Sequence, residues 1–122
     1  MDDLDSLGLH AAVLAAGPST RFGSPKQLVR LGGSPVLHQA AATAASIAGP
    51  SVAVVLGAFA KEIAPALRQS AASVVLNRDW QEGLASTVRV AVRTAPPRCA
   101  GLLLLLGDQV AVTTDDLRRL FA

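Results

Sequence analysis

Four short runs of consecutive, mostly apolar residues constrain the fold of this chain more than any other feature of its sequence. They are Leu9–Ala15, Val52–Leu56, Ser73–Leu76 and Leu102–Leu106. A strand with one face in water alternates apolar and polar residues, whereas a strand covered on both faces is apolar throughout. The runs therefore predict parallel strands that lie between two layers of helices.

Segments with helical spacing of apolar residues alternate with the predicted strands. They are Pro35–Ile47, Ala58–Arg68, Leu84–Arg93 and a last segment that begins at Thr113 or Thr114. Pro65 is expected to shorten or kink the second segment, because proline lacks the N–H that an α-helix uses. The alternation predicts helices that connect successive parallel strands.

The third predicted helix has a distinct apolar side. Leu84, Val88, Ala91 and Val92 are expected to pack on the sheet, with the arginines of the segment outside. His10, in the first predicted strand, is expected to be a core residue with its hydrogen bonds satisfied.

The order β-α-β-α-β-α-β-α over residues 1–122 indicates a single α/β domain. The expected architecture is three-layer, doubly wound and mostly parallel, with strand order 3-2-1-4. In this order the chain reverses direction after the third strand, so that the fourth strand lies beside the first. The carboxyl ends of these two strands are then neighbours.

Charge and cysteine content exclude several classes of function. The net charge is only +2 and the arginines are scattered, so no basic face indicates nucleic acid as the main partner. Cys99 is the only cysteine, which excludes an internal disulfide and fits a reducing cytoplasm. The first five residues are acidic where a signal peptide is basic, and Leu102–Leu106 is too short to cross a bilayer. We therefore expect a cytoplasmic protein with no membrane partner.

The strongest functional signal is the segment L-A-A-G-P-S-T-R-F-G-S-P-K at positions 14–26, after the first predicted strand. Open α/β sheets bind ligands at this edge. Small residues let backbone N–H groups approach a nucleotide, while Arg21 and Lys26 supply positive charge for its phosphates. The residues expected to bind nucleotide are Leu14, Ala15, Ala16, Gly17, Ser19, Arg21 and Lys26. The segment matches neither a P-loop nor the dinucleotide fingerprint, and composition alone also fits an ordinary Gly/Pro/Ser turn.

A second signal is the carboxylate after the fourth predicted strand. Asp108 follows Leu106 and Gly107, at a tip that the strand order places beside the first loop. Mg²⁺ binds one or two protein oxygens together with phosphates, so Asp108 is expected to hold this ion. The alternative is a turn residue after a strand. Gly57, after the second strand, is expected to allow close approach at the same nucleotide edge.

The segment after the third strand adds further candidates at this edge. Asn77 can read a base or fix the loop, and Gly83 permits close approach of a nucleotide. Both are predicted to bind nucleotide. Ser86 or Thr87 is expected to cap the next helix, and Trp80 to serve as a packing anchor.

Together these motifs resemble the MobA/MocA-type nucleotidyltransferases. Positions 14–26 match every fixed position of their pattern L-A-(A/G)-G-x-S-x-R-x-G-x-P-K, and positions 77–87 resemble N-x-x-W-x-x-G-x-x-x-S with the serine one residue early. Positions 106–110 resemble L-G-D-Q-P, with Val110 in place of proline. The resemblance implies a nucleotide-diphospho-sugar transferase-like fold, Mg²⁺, and nucleotidyl transfer with release of pyrophosphate. Ala16 gives L-A-A-G, as in the cytidylyl branch, which favours CTP as donor and molybdopterin as acceptor.

The same resemblance implies catalytic roles for three residues. Arg21 would neutralise the β and γ phosphates, Lys26 would stabilise charge at the α-phosphate, and Asp108 would hold the metal. A G-H-P stretch and a later Gly-Asp carboxylate of typical members do not occur after Asp108. The chain is therefore expected to lack the C-terminal third of a typical member, leaving one flank of the fourth strand open for self-association.

Three alternatives stand beside this interpretation. The first is a catalytically weak or inactive nucleotide-binding module, because the second carboxylate is not encoded here. The second is a sugar-phosphate nucleotidyltransferase, since that group shares L-A-A-G. The third is an interaction domain that binds no nucleotide.

Overall fold

The computed structural model describes residues 8–21, 23–107 and 114–120. In chain order the elements are β1 (Leu9–Ala15), β2 (Thr20–Arg21), β3 (Ser24–Pro25), β4 (Arg30–Leu31), β5 (Ser34–Pro35), α1 (Val36–Ala48), β6 (Val52–Leu56), α2 (Ala60–Ile63), β7 (Ser73–Leu76), α3 (Leu84–Thr94), β8 (Gly101–Leu106) and α4 (Thr114–Leu120). Short 3₁₀ turns lie at Lys26–Leu28, Ala64–Leu67 and Trp80–Glu82. None of the described helices is long and apolar enough to cross a membrane.

The four long strands form one sheet in the order β7-β6-β1-β8, and every pairing in it is parallel. Val13 of β1 is in register with Val54 of β6 on one side and with Leu105 of β8 on the other. This is the predicted order 3-2-1-4, which the structure confirms. The two-residue strands pair antiparallel in separate hairpins, β2 with β3 and β4 with β5.

The two central strands, β1 and β6, are apolar except for His10, because both of their faces are covered. One face packs on α1, where Val13, Val54 and Leu105 meet Leu37 and Ile47. The other face packs on α3, where Ala12, Leu14 and Val55 meet Ala91. Four alanines on α1, Ala40, Ala41, Ala44 and Ala48, are buried, and their small side chains let this helix lie close to the sheet.

The predicted helix Ala58–Arg68 is two shorter pieces, α2 and the 3₁₀ turn Ala64–Leu67. Phe59 has left-handed backbone angles, so the helix begins only at Ala60. Pro65 lies within the 3₁₀ turn. Since proline has no N–H to continue the α-helical pattern, the segment tightens there as expected.

The expected packed side of α3 is partly wrong. Ala91 is buried, but Leu84 and Val92 are 59% and 56% exposed. The buried side instead carries Ser86 and Thr87. These two hydroxyls are drawn inward because both accept hydrogen bonds from a buried asparagine, described below, which turns the helix away from its most apolar orientation.

The fourth strand of the sheet is covered unevenly. On one face, Leu103 and Leu105 belong to the core beneath α1, and α4 lies alongside α1. On the face shared with α3, Leu104 and Leu106 are exposed. Within the described residues β8 pairs only with β1, so it is an edge strand. The predicted capping residue Thr113 lies outside the described residues.

Candidate nucleotide-binding site

A cavity of about 280 Å³ opens at the carboxyl ends of the parallel strands. Three regions of the chain form its wall: the loop after β1 with Lys26 and Gln27, the start of α3 with the turn before it, and the tip of β8. The wall includes the predicted residues Leu14, Ala15, Ala16, Gly17, Ser19, Lys26 and Gly83. The cavity is close to the lower size limit of small-molecule sites.

The loop after β1 has its backbone carbonyls turned toward the protein. Gly107 N–H donates to Leu14 O at 2.9 Å, and Ala58 N–H donates to Ala16 O at 3.0 Å. The side-chain amide of Gln27 donates to the carbonyls of Ala15 and Gly17 at 3.0 and 3.2 Å. In the described part of the chain, the N–H groups of Ala16 and Gly17 meet no acceptor. Such unpaired N–H groups at a strand end form a concave site for an anion.

A small hairpin returns the chain from Ser19 to Lys26. Strands β2 and β3 pair Thr20 with Pro25, and Lys26 N–H donates to Ser19 O at 3.0 Å. Pro25 is buried, whereas Lys26 is exposed and lines the cavity. The ammonium group of Lys26 is thus carried on the same short closed loop as the unpaired N–H groups. Arg21 lies on the outer part of the hairpin and is exposed, and it does not line the cavity.

Asn77 lies beneath the cavity and does not line it. It is fully buried, and its amide nitrogen donates to the hydroxyls of Ser86 and Thr87 at 2.9 and 3.0 Å. Its carbonyl oxygen accepts the N–H of Asp79 at 3.0 Å. Of the two roles expected for Asn77, the structure supports fixing the loop, because both the amide nitrogen and the carbonyl oxygen of its side chain form hydrogen bonds within the protein. The hydroxyls that it holds do not cap α3, whose N-terminus has no side-chain cap.

The turn held by Asn77 presents Gly83 and Trp80 to the cavity. Gly83 precedes α3 with φ of 98°, a conformation that favours glycine. Trp80 packs against Gly57: a Cβ added at Gly57 would lie 2.5 Å from the Trp80 Cβ. Gly57 itself does not line the cavity. In the structure it makes room for the Trp80 side chain. Trp80 is both the expected packing anchor and, unexpectedly, part of the wall.

The tip of β8 presses closely on the tip of β1. A Cβ added at Gly107 would lie 2.9 Å from the Ala15 Cβ, so only glycine fits there without a shift. Gly107 lines the cavity. Asp108, the predicted metal ligand, follows it in the chain and lies outside the described residues. Among residues 8–21, 23–107 and 114–120, no group of three or more His, Cys, Asp or Glu side chains is placed to hold a metal ion.

Sequence analysis did not single out Gln27 as a site residue. It is only 5% exposed and lines the cavity beside Lys26. The signal that could have found it is a long polar side chain placed directly after Pro25 and Lys26, at a position that the fold buries.

His10 lies at the opposite end of β1 from the cavity. Its Nδ1 is 2.7 Å from the Ser51 hydroxyl, while its Nε2 is buried with no partner among the described residues. The expectation of a fully satisfied core histidine is therefore only half met. Burial lowers the pKa of the His10 imidazole below its ordinary value, since desolvation disfavours the charged form.

The fold and the position of the cavity define a doubly wound α/β protein whose ligand site lies at the switch point of the sheet. Residues 11–122 match the sequence profile of the MobA-like NTP transferase domain. The chain belongs to this family, as its motifs indicated.

Known proteins similar to this chain include one curated relative and two proteins of solved structure. Bifunctional protein GlmU of Koribacter versatilis is 33% identical over 114 residues, which cover 91% of this chain and 24% of that protein. The crystal structure of Rv0371c from Mycobacterium tuberculosis is 34% identical with a TM-score of 0.80, over 93% of this chain and 58% of that chain. A nucleotidyl transferase from Methanothermobacter thermautotroptrophicus is 30% identical with a TM-score of 0.78, over 91% and 55%.

Rv0371c has also been solved as a complex with manganese. That structure matches this chain with a TM-score of 0.76 and 32% identity, over 93% of this chain and 57% of that chain. The present chain thus spans about a quarter of the curated relative and somewhat more than half of the solved structures.

Proposed function

We propose that this chain, residues 1–122 acting as one domain, binds a nucleoside triphosphate in the cavity and provides the nucleotide-binding half of a nucleotidyltransferase. The observation that carries the proposal is the loop after β1. Its carbonyls from Leu14 to Gly17 are all occupied within the protein, while the N–H groups of Ala16 and Gly17, beside Lys26, have no acceptor in the part of the chain that the structure describes. Unpaired donors next to a cation are what the phosphates of a nucleotide require.

The remaining walls of the cavity suit the nucleoside. Leu14, Leu84 and Leu106 give it an apolar side, and Gly83 leaves open space at the start of α3. A base between these walls would be removed from water, while its phosphates would extend over the loop toward Lys26 and Arg21. Asn77 supports this arrangement by holding the turn that carries Gly83.

A divalent ion is expected to complete the site. The described wall supplies N–H groups and a cation for phosphates but no carboxylate, and Mg²⁺ usually takes one or two carboxylates together with phosphate oxygens. One carboxylate at Asp108, directly after the wall residue Gly107, fits this requirement. The manganese complex of Rv0371c supports a divalent ion. Bound there, Mg²⁺ would withdraw negative charge from the phosphates.

The proposed reaction is in-line nucleotidyl transfer. A phosphate oxygen of the acceptor attacks the α-phosphorus, the bond from that phosphorus to the bridging oxygen breaks, and pyrophosphate leaves with the electron pair. Lys26 stabilises the charge on the α-phosphate, and Arg21, farther out on the hairpin, contacts the leaving phosphates. The protein contributes position and charge rather than covalent chemistry.

CTP is the proposed donor and molybdopterin the proposed acceptor, on the strength of the L-A-A-G motif that ends in Ala16 and Gly17. None of the similar proteins reported above has a name that specifies molybdopterin. A sugar phosphate is therefore the second candidate acceptor.

Titration calorimetry with CTP, GTP, ATP and UTP in the presence of Mg²⁺ tests the proposal. CTP should bind most tightly, and Lys26→Ala should weaken this binding about tenfold, since one charge-assisted contact contributes on the order of 1.5 kcal/mol. Lys61→Ala, which removes an exposed lysine of α2 outside the cavity wall, is the matched control. Equal affinity in Lys26→Ala, Arg21→Ala and the wild type would contradict the proposed phosphate contacts and support the alternative of an interaction domain.

Pyrophosphate release then separates an enzyme from a binding module. CTP and Mg²⁺ are incubated with a molybdopterin acceptor or with a panel of sugar phosphates. Release with one acceptor class identifies it. Tight CTP binding without release for any acceptor would favour the catalytically inactive module.

We also propose self-association along the open edge of β8. Among the described residues this edge has no second partner strand, and Leu104 and Leu106 are exposed beside it. Unpaired strand edges with apolar neighbours readily pair with another chain. Sedimentation velocity should show a concentration-dependent dimer that Leu104→Lys reduces, and a strictly monomeric wild type would contradict it.

A further inference from the structure

The Gln27 side chain is attached to the loop after β1 at two points. Its amide nitrogen uses both hydrogens, one on Ala15 O at 3.0 Å and one on Gly17 O at 3.2 Å. The reversed amide would place an oxygen against two carbonyl oxygens, so the hydrogen-bond chemistry fixes this orientation. The other end of the amide, Oε1, is buried without a partner among the described residues. The two donated bonds are therefore the polar interactions that hold the side chain.

These two bonds determine which way the loop backbone faces. The carbonyl of Ala16, between the two that Gln27 holds, points to the other side and accepts from Ala58 N–H. Successive carbonyls are thus fixed alternately by a side chain and by a neighbouring segment. Because each peptide plane is fixed, the N–H groups of Ala16 and Gly17 find no acceptor among the described residues beside the cavity.

Gln27 is also the neighbour of Lys26 in the sequence. The 3₁₀ turn Lys26–Leu28 places the buried side chain of Gln27 under the loop and the exposed side chain of Lys26 in the cavity wall. Gln27 therefore links the loop that carries these N–H groups to the backbone that carries Lys26.

We propose that Gln27 is a positioning residue that holds the phosphate-binding loop and Lys26 in register with each other. The expected effect on nucleotide affinity rests on the proposed function. The ordering of the loop by Gln27 requires no ligand. Glutamine is suited to this position because it carries two donors on a chain long enough to reach both carbonyls. Methionine has the length without the donors, and glutamate offers acceptors toward carbonyls that are themselves acceptors.

The first test measures loop order without nucleotide. Hydrogen–deuterium exchange is followed at the N–H groups of Lys26 and Ala58, which are bonded to Ser19 O and Ala16 O. In Gln27→Met both should exchange at least tenfold faster. Ala44→Gly, a destabilising change in the buried part of α1 away from the loop, is the matched control and should leave the ratio of loop to core exchange unchanged. Equal loop protection in Gln27→Met and the wild type would overturn the inference, whether or not the protein binds nucleotide.

The second test compares the binding of CTP and CMP with Mg²⁺ in the wild type and in Gln27→Met. A positioning role predicts about a tenfold loss of CTP affinity with a smaller loss for CMP, because the loop and Lys26 can contact three phosphates of CTP but only one of CMP. An equal loss for both nucleotides indicates a general structural role and overturns the inference. Wild-type protein that binds neither nucleotide contradicts the proposed function alone, since the exchange test still decides the role of Gln27.

Gln27→Glu keeps the test decisive if the methionine variant does not fold. A buried glutamate facing two carbonyls should be protonated at a higher pH than usual, and the protonated form regains one donor. Its CTP affinity, relative to that of the wild type at the same pH, should therefore rise as the pH falls from 8 to about 5.5. A ratio that is flat with pH would contradict the role of the donated hydrogen bonds.

Discussion

The two faces of the central sheet are packed in different ways. The face under α1 meets a continuous apolar layer of fully buried large side chains such as Leu37, Ile47 and Ile63. The face under α3 has a small apolar cluster, and beside it a buried polar group in which Asn77 holds Ser86 and Thr87. Hydrophobic packing is not directional, whereas hydrogen bonds fix one geometry. The comparison indicates that one face supplies most of the stability and the other holds the turn that shapes the cavity.

The largest expected effect is on the α1 face. Leu37→Ala should lower the free energy of unfolding by about 2–5 kcal/mol, because it leaves a cavity beneath a helix that is held by tight packing. Urea denaturation monitored by circular dichroism measures it. A loss below about 1 kcal/mol would mean that this face is not the main source of stability.

A smaller loss of stability with a larger functional effect is expected on the α3 face. Asn77→Ala removes the donor to Ser86 and Thr87 and the acceptor of Asp79 N–H, which should cost about 1–3 kcal/mol. Because the turn carrying Gly83 and Trp80 is then released, CTP affinity should fall more than in Leu37→Ala. Calorimetry of both variants at a temperature where each is folded gives the comparison.

Asn77→Asp is the matched control for this variant. The carboxylate can still accept from Asp79 N–H but cannot donate to the two hydroxyls. It should therefore resemble Asn77→Ala in affinity. An unchanged CTP affinity in both variants would show that this polar group does not shape the nucleotide site. It would contradict the proposed difference between the two faces.

Little effect is expected at the exposed apolar side of α3. Val92→Ser should change the free energy of unfolding by no more than about 0.5 kcal/mol, since more than half of this side chain is already in water. The measurement is the thermal unfolding of Val92→Ser, compared with that of Ala91→Ser, which changes the buried neighbour. A loss at Val92 as large as that at Ala91 would show that the outer side of α3 is covered in solution.

The smallest expected effect is a dependence of stability on pH at His10, which shares the α3 face of β1 with Ala12. Burial lowers the pKa of this imidazole in the folded chain below 6.5. The unfolded chain then binds more protons as the pH falls through 6.5, so stability is full above that pH and is lost below it. Melting temperatures at pH 7.5 and 5.5 should differ more for the wild type than for His10→Gln. Equal differences would assign the pH dependence to other groups.

The same division between packing and polar contacts separates what could be predicted for the site from what could not. The loop Leu14–Lys26 was recognised because its residue types and spacing carry the chemistry themselves. The role of Gln27 was not, because a side chain that binds the backbone of another segment leaves no local pattern. For Asn77 the sequence left two roles open, and only the structure favoured fixing the loop. Gly57 was expected to make room for a nucleotide, because the sequence shows a glycine after a strand. It does not show the Trp80 ring, which occupies that space in the structure.

The sequence by itself determined the four strands of the main sheet, their parallel order and the edge at which the cavity opens. Continuous apolar runs and the handedness of crossover connections are local or topological rules, so one chain suffices to apply them. Only the tertiary structure decided how α3 is rotated, which carbonyls of the loop are occupied, and that Lys26 enters the cavity wall while Arg21 stays outside. Those outcomes depend on hydrogen bonds between segments far apart in the chain, whose partners are known only once the sheet has brought them together.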